Sequence, residues 1–189
     1  MESQSSLYFM NNKLEKTNLL NINRELFLKK IKSSNLKSMN KYKRVPCSPI
    51  RYAGGKSLAV GHIIELLPNN ITKIVSPFFG GCSVEIAMSK YLDLEVRGYE
   101  IFDILCNYWK FQIENPKLLY EELKKLKPNK EQFEKIRKVL NKVWKKEIIL
   151  DPLTLAVYYV YNFNLSYGPG FMGWSSDIYL NDKRYTAII

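Results

Sequence analysis

From Pro46 onward the apolar positions keep two alternating periods. LAVGHIIELLP predicts a helix with Leu58, Ile63, Ile64 and Leu67 on its apolar side and a stop at Pro68. ITKIV (71–75) is a short apolar run and predicts a buried strand. Val84, Ala87, Met88 and Tyr91 then fall at i, i+3, i+4 and i+7, the spacing of one helix face. LEVRGYEI (94–101) predicts a second strand, and DILCNYWKFQIEN a second helix that ends near Pro116. Strand, helix, strand, helix in this rhythm predicts an α/β fold with a parallel sheet of the Rossmann kind.

The pattern changes beyond Pro116. Leu119, Leu123 and Leu126 form one helix face, interrupted by KPNK; Phe133, Ile136, Leu140 and Val143 form another, with lysines around the outside. LTLAVYYVYNF (153–163) is apolar on nearly every face, which predicts a buried helix. NLSYGPGFMGWSSDIY reads as an aromatic-glycine loop, and DKRYTAII as the start of a further helix. Residues 1–45 are rich in Asn, Lys and Ser. They read as a partly disordered extension outside the main fold, with one amphipathic helix around Leu19 to Ile31. The organisation expected is therefore 1–45, a basic polar extension; 46–115, an α/β portion; and 116–189, a helical portion.

Composition narrows the class. Apolar content of 46% and charged content of 25% suit a soluble globular chain. No apolar run reaches the ~18 residues of a membrane span, and MESQSS opens no signal-peptide core, so the expectation is an intracellular, unsecreted protein. Three cysteines without CxxC spacing and a lone His62 offer neither a disulfide framework nor a zinc site. The net charge of +11 is segregated. Ten Lys/Arg face three acids in 1–45 and eleven face five in 116–149, while the glycine-rich middle is close to neutral. A basic region on a neutral body suits a polyanion, with nucleic acid the first candidate; a lysine-rich coding bias is the plain alternative.

Two glycine stretches carry the candidate chemistry. IRYAGGKS (50–57) contains GKS, but the first glycine of a phosphate-binding P-loop would fall on Ile50, which argues against a nucleotide triphosphatase. What remains is a glycine turn opening a helix with Lys56 at its start, a place that favours an anion. VSPFFGGCSVEIAM (75–88) puts PFFGG between a strand and a helix, where doubly wound sheets bind cofactors. The pattern is not GxGxxG, which argues against a nicotinamide dinucleotide. About twenty residues on, Glu100 ends the second strand, where an acid accepts hydrogen bonds from ribose hydroxyls.

RYAGGKS, PFFGGCSVEIAM and GYEIFDILCNYW, in that order, resemble three consecutive motifs of the Dam-like (D12 class) adenine-specific DNA N6-methyltransferases. The likeness is close over residues 48–116 and weaker over 153–176, where NLSYGPGFMGWSS is similar to the family's Leu-Ser-Phe-Ser-Gly loop. It implies an incomplete Rossmann-like methyltransferase fold with a helical DNA-recognition insertion, acting on double-stranded DNA as in restriction-modification systems. It also implies an S-adenosylmethionine site at Tyr52, Gly54, Gly55, Lys56, Pro77, Phe78, Phe79, Gly80, Gly81 and Glu100, without a metal. Lys124, Lys125, Lys138 and Lys142 would contact phosphates, and Tyr167 and Trp174 the DNA beside them.

Three departures stand out. The family's acid before Pro-Phe is Ser76 here, its last glycine is Cys82, and the Asn-Arg pair before Leu-Ser-Phe is Phe163-Asn164. The catalytic Asp/Asn/Ser-Pro-Pro-Tyr/Phe motif is absent, since no two of the eight prolines are adjacent, and DPLT (151–154) reads as a helix start. No catalytic residue is therefore assigned. The expectation is the front part of a methyltransferase: a truncated gene, a split enzyme whose catalytic loop comes from a second polypeptide, or a decayed relative. The alternative is a non-catalytic DNA- or RNA-binding module on a relic of the fold.

Overall fold

A computed structural model describes residues 2–33, 41–168, 170–175, 177 and 180–188. The chain divides into two compact units, Met1–Ser48 with Gly55–Tyr99 and Pro49–Gly54 with Glu100–Ile189.

The first unit holds helix α1 (Glu2–Ile31), α2 (Val60–Glu65), strand β1 (Lys73–Ser76), α3 (Ser83–Leu92) and β2 (Glu95–Gly98). The strands are parallel, with Lys73 opposite Glu95 and Ser76 opposite Gly98, so the chain must cross over between them, and α3 is the crossover. The predicted periodicity holds: Ala87 and Met88 are buried, with Val84 and Tyr91 packed beside them. Two expectations need correction. Leu58 is exposed rather than part of the α2 face, which rests instead on buried Val60 and Ile64. The strands are not buried along their length, and Val75 is exposed, because the described sheet has only two strands and one row of each faces away from the helices. The Lys73 ammonium, ahead of the Arg97 guanidinium, holds the exposed Glu95 carboxyl below its usual range.

The N-terminal segment differs most from its sequence reading. The helix expected at Leu19 to Ile31 is the C-terminal part of a 30-residue helix. Its Leu20, Phe27 and Ile31 are buried in one cluster with Tyr42, Val45, Val60, Ile64 and Leu92, so this stretch belongs to the core. Phe27 stacks on Tyr91, with ring centroids 4.8 Å apart, and Arg24 donates to the Leu67 carbonyl at 2.7 Å. Polar composition concealed this because an exposed helix needs only one residue in three or four to be apolar on its buried side.

In the second unit, α4 (Asp103–Glu114), α5 (Pro116–Lys124) and α6 (Lys130–Trp144) surround α7 (Pro152–Leu165); a hairpin of β3 (Ser166–Tyr167) and β4 (Trp174–Ser175) follows, then α8 (Asp182–Ile188). The expected all-round burial of α7 is observed from Ala156 onward, apart from half-buried Tyr158. Its Tyr161 hydroxyl donates to the Lys127 carbonyl and the Tyr185 hydroxyl of α8 to that of Leu123, both at 2.6 Å, tying down the C-terminal end of α5. Burial pushes the Tyr159 phenol well above its ordinary pKa. DPLT is a helix start: Asp151 accepts from the Thr154 amide at 2.9 Å, and Pro152 occupies the first turn.

Two outcomes follow for stability. Phe27→Ala should destabilise the first unit by about 3–5 kcal/mol, read by chemical denaturation, whereas a dispensable extension would tolerate it. Asp151→Ala should cost the second unit about 1 kcal/mol at neutral pH. Hydrogen bonds from Thr154 hold the Asp151 carboxyl below its ordinary 3.8. Its contribution is therefore present above that value and fades as pH falls through the lowered one, so the gap between variant and parent should close in acid.

Candidate functional site

The turn between β1 and α3 is built by backbone conformation. After Ser76 the chain leaves the sheet at Pro77, and Gly80 takes φ 48, a left-handed value that glycine adopts without cost. Cys82, also left-handed at φ 54, caps α3. Amide bonds tie the turn to the end of β2: Tyr99 donates to the Ser76 carbonyl at 2.8 Å, and Phe79 donates to the Tyr99 carbonyl at 2.9 Å. The Phe79 ring lies on Gly98, where an added Cβ would come within 2.3 Å of it. Gly98 was not singled out from sequence; its place in the second strand, where glycine packs poorly, was the available signal. Phe78 points outward and is 88% exposed, while Gly81 is buried. The Ser76 hydroxyl donates to Glu85 Oε1 at 2.6 Å, in the first turn of α3.

The second glycine stretch differs from its sequence reading. The helix expected to open at Lys56 begins at Val60 and has six residues, so Lys56 lies on an exposed turn whose carbonyl accepts from the Ala59 amide. The chain also passes from one unit to the other within this stretch. Gly55, Lys56 and Pro77 to Gly81 belong to the first unit; Tyr52, Gly54 and Glu100 belong to the second.

Within the second unit, Tyr52 stacks on Phe163 with planes 9° apart, and Phe163 in turn packs on Tyr159. Glu100 Oε1 accepts from the amides of Ile101 and Phe102 at 3.0 and 3.1 Å, which fixes the carboxylate just ahead of α4. At the end of α7, buried Asn162 accepts from the Met172 amide and buried Asn164 from the Arg51 amide. The Arg51 guanidinium donates to the Ser166 carbonyl at 2.8 Å, bringing a cation to the loop that lacks one at position 164.

The residues expected to contact nucleic acid fall into two groups. Lys124 and Lys125 ion-pair with Glu121 and Glu122 one turn earlier on α5, at 3.7 and 2.5 Å, so part of their charge is answered locally. Lys138 and Lys142 are exposed, one turn apart on α6, in line with Lys135. Tyr167 and Trp174 are direct cross-strand partners on the hairpin, 67% and 73% exposed, so their rings project from the same side. Sequence reading placed these aromatics in a loop and missed the pairing, because each strand is only two residues long. It also missed Arg137, whose guanidinium sits 5.3 Å from the Trp174 ring centroid and donates to the Met172 carbonyl at 3.2 Å. Phe171 turns inward against Phe102, Trp144 and Tyr159.

The model of the D12 class N6 adenine-specific DNA methyltransferase family matches residues 52–188. The chain belongs to that family. Methyl transfer to adenine in DNA is the activity the family describes, and a helix–strand fold with a small parallel sheet is compatible with an α/β methyltransferase. No match was found among curated proteins. The match begins at Tyr52, leaving α1 outside it, although α1 shares the first unit's core. Among the described residues, no helix is long and apolar enough to cross a membrane, and no cluster of three His, Cys, Asp or Glu residues could hold a metal.

Gly98→Ala should force the Phe79 ring off β2. The expected cost is about 1–3 kcal/mol in the first unit, with a change in the near-ultraviolet aromatic circular dichroism; a neutral substitution would remove Gly98 from the turn's architecture.

Proposed function

We propose that this chain provides the cofactor- and DNA-holding portion of a site-specific adenine N6-methyltransferase that uses S-adenosylmethionine. One observation carries the reading: a glycine turn joins a parallel strand to the crossover helix at the strands' C-terminal ends, and Glu100 follows the next strand. That edge is where open α/β sheets bind ligands. When bound, the cofactor supplies a methyl group on a cationic sulfonium. The residues assigned to holding it are Tyr52, Gly54, Gly55, Lys56, Pro77, Phe78, Phe79, Gly80, Gly81 and Glu100. They suit the group: the Glu100 carboxylate is oriented through backbone amides, and Gly80 keeps the turn's backbone free of side chain.

Lys138, Lys142, Tyr167 and Trp174 are assigned to DNA, together with Lys124 and Lys125, whose partners on α5 weaken their share. The two lysines on α6 supply phosphate contacts without reading sequence, and the paired aromatics offer faces for stacking. The target amine still needs polar acceptors and a stacking ring at the reacting adenine. The family's Pro-Pro motif for that purpose does not occur in these 189 residues. The chain alone is therefore proposed to bind rather than transfer, as a fragment, one half of a split enzyme or an inactive form.

Calorimetry with S-adenosylmethionine tests the cofactor reading, and Glu100→Ala should abolish the heat of binding. In a radiolabelled methyl-transfer assay, purified 1–189 should leave duplex DNA unmodified; efficient transfer would overturn the binding-only reading. Lys138→Ala and Lys142→Ala should each reduce the salt dependence of DNA affinity by about one unit of log–log slope, equally for all sequences. DNA binding without any cofactor binding would instead favour a non-catalytic DNA- or RNA-binding module, a reading to which the exposed α6 lysines and the aromatic pair also lend support.

A further inference from the structure

The cofactor's nucleoside end is neutral, but its methionyl end carries an ammonium and a sulfonium against a single carboxylate, a net positive charge, and a site for its ammonium gains from a nearby carboxylate. The end of β1 offers a serine hydroxyl at Ser76. Across the whole of residues 71–92, from the approach to β1 through the glycine turn to the end of α3, Glu85 is the only acid. It is half-buried, and the Ser76 hydroxyl donates to its Oε1 at 2.6 Å, so the carboxylate is drawn back from the helix toward the end of the strand.

We infer that Glu85, held by Ser76, is the anionic group that receives the cationic end of the cofactor, supplying from α3 the charge that β1 lacks. This rests on the cofactor reading above. No bond is made or broken; Glu85 is a binding and positioning residue. The Ser76 bond occupies one carboxylate oxygen and sets the direction of the group, while a carboxylate has further lone pairs for an ammonium.

The test is calorimetry on the full chain with two ligands, S-adenosylmethionine and 5′-methylthioadenosine, which shares the nucleoside and lacks the sulfonium charge and the whole amino-acid arm with its ammonium and carboxylate. Glu85→Gln, nearly isosteric and still able to accept from Ser76, should weaken S-adenosylmethionine about tenfold to a hundredfold. It should leave 5′-methylthioadenosine within about twofold. Ser76→Asp combined with Glu85→Gln should recover most of the loss by returning a carboxylate from the strand side. Ser76→Ala, which keeps the charge but releases its direction, should fall between and serves if Glu85→Gln does not fold. Equal loss for both ligands would make Glu85 a structural residue and overturn the inference, as would unchanged affinity in Glu85→Gln. Failure of the unaltered chain to bind either ligand would overturn the cofactor reading, and this inference with it.

Discussion

The first unit depends on getting the chain out of β1 and into α3 within six residues while keeping both strands parallel. A parallel pair cannot be closed by a short hairpin, so the crossover helix must start at once and run back across the sheet. Gly80 and Cys82, both left-handed, turn the chain, and the Phe79 ring fills the space left by the missing side chain of Gly98. A left-handed residue with a Cβ costs about 1–2 kcal/mol, a strain that a glycine at position 82 would not carry. Cys82 is buried, so contacts around it offset that cost. Moving this turn would shift the start of α3, and with it Ala87, Met88 and Leu92, which pack into the cluster shared with α1.

A different constraint shapes the second unit. A helix buried on nearly every face has little water to satisfy polar groups along it, so partners for them are worth most there. In α7 several are found near the C-terminal end: Asn162 Oδ1 accepts from the Met172 amide, Asn164 Oδ1 accepts from the Arg51 amide, and the Ser166 hydroxyl lies within 3.0 Å of the Phe163 and Gly168 carbonyls, whereas the buried Tyr159 hydroxyl and the Asn162 and Asn164 amide nitrogens have no hydrogen-bond partner among the described residues. The end of a buried helix thereby organises the hairpin. Arg137 completes the arrangement from α6, holding the hairpin backbone through Met172 and standing beside the Trp174 ring. The basic helix and the exposed aromatics are thus parts of one packed assembly.

What could be read from sequence was whatever depended on local periodicity. Val84 to Tyr91, Leu119 with Leu123, and Phe133 with Ile136 and Leu140 each mark a helix face, and each is on a helix with its buried side as expected. The parallel pair followed from the alternation of elements, and the family from three motifs in order. What could not be read was set by contacts distant in sequence. Nothing local tells Phe27 that it will meet Tyr91, 64 positions on, or tells Gly98 that Phe79 will cover it. The end of α2 shows the opposite error: LAVGHIIELLP has the spacing of a longer helix, but six residues suffice to bury Val60 and Ile64, and Leu58 is left outside.

The departures at Ser76 and Asn164 show how motif reading and physical reading part company. A motif counts a missing charge as lost because it compares positions along one segment. A binding site requires only that charge of the right sign reach a given place, by whatever segment passes nearby. At the loop after α7, Asn164 lacks a cation, yet the Arg51 guanidinium, 115 residues earlier in the chain than Ser166, reaches the Ser166 carbonyl. At the end of β1 the acid is a serine, yet that serine's hydroxyl grips a carboxylate nine residues on. In both places the substituted residue, or one two positions from it, is hydrogen-bonded to a side chain carrying the charge its own position lacks.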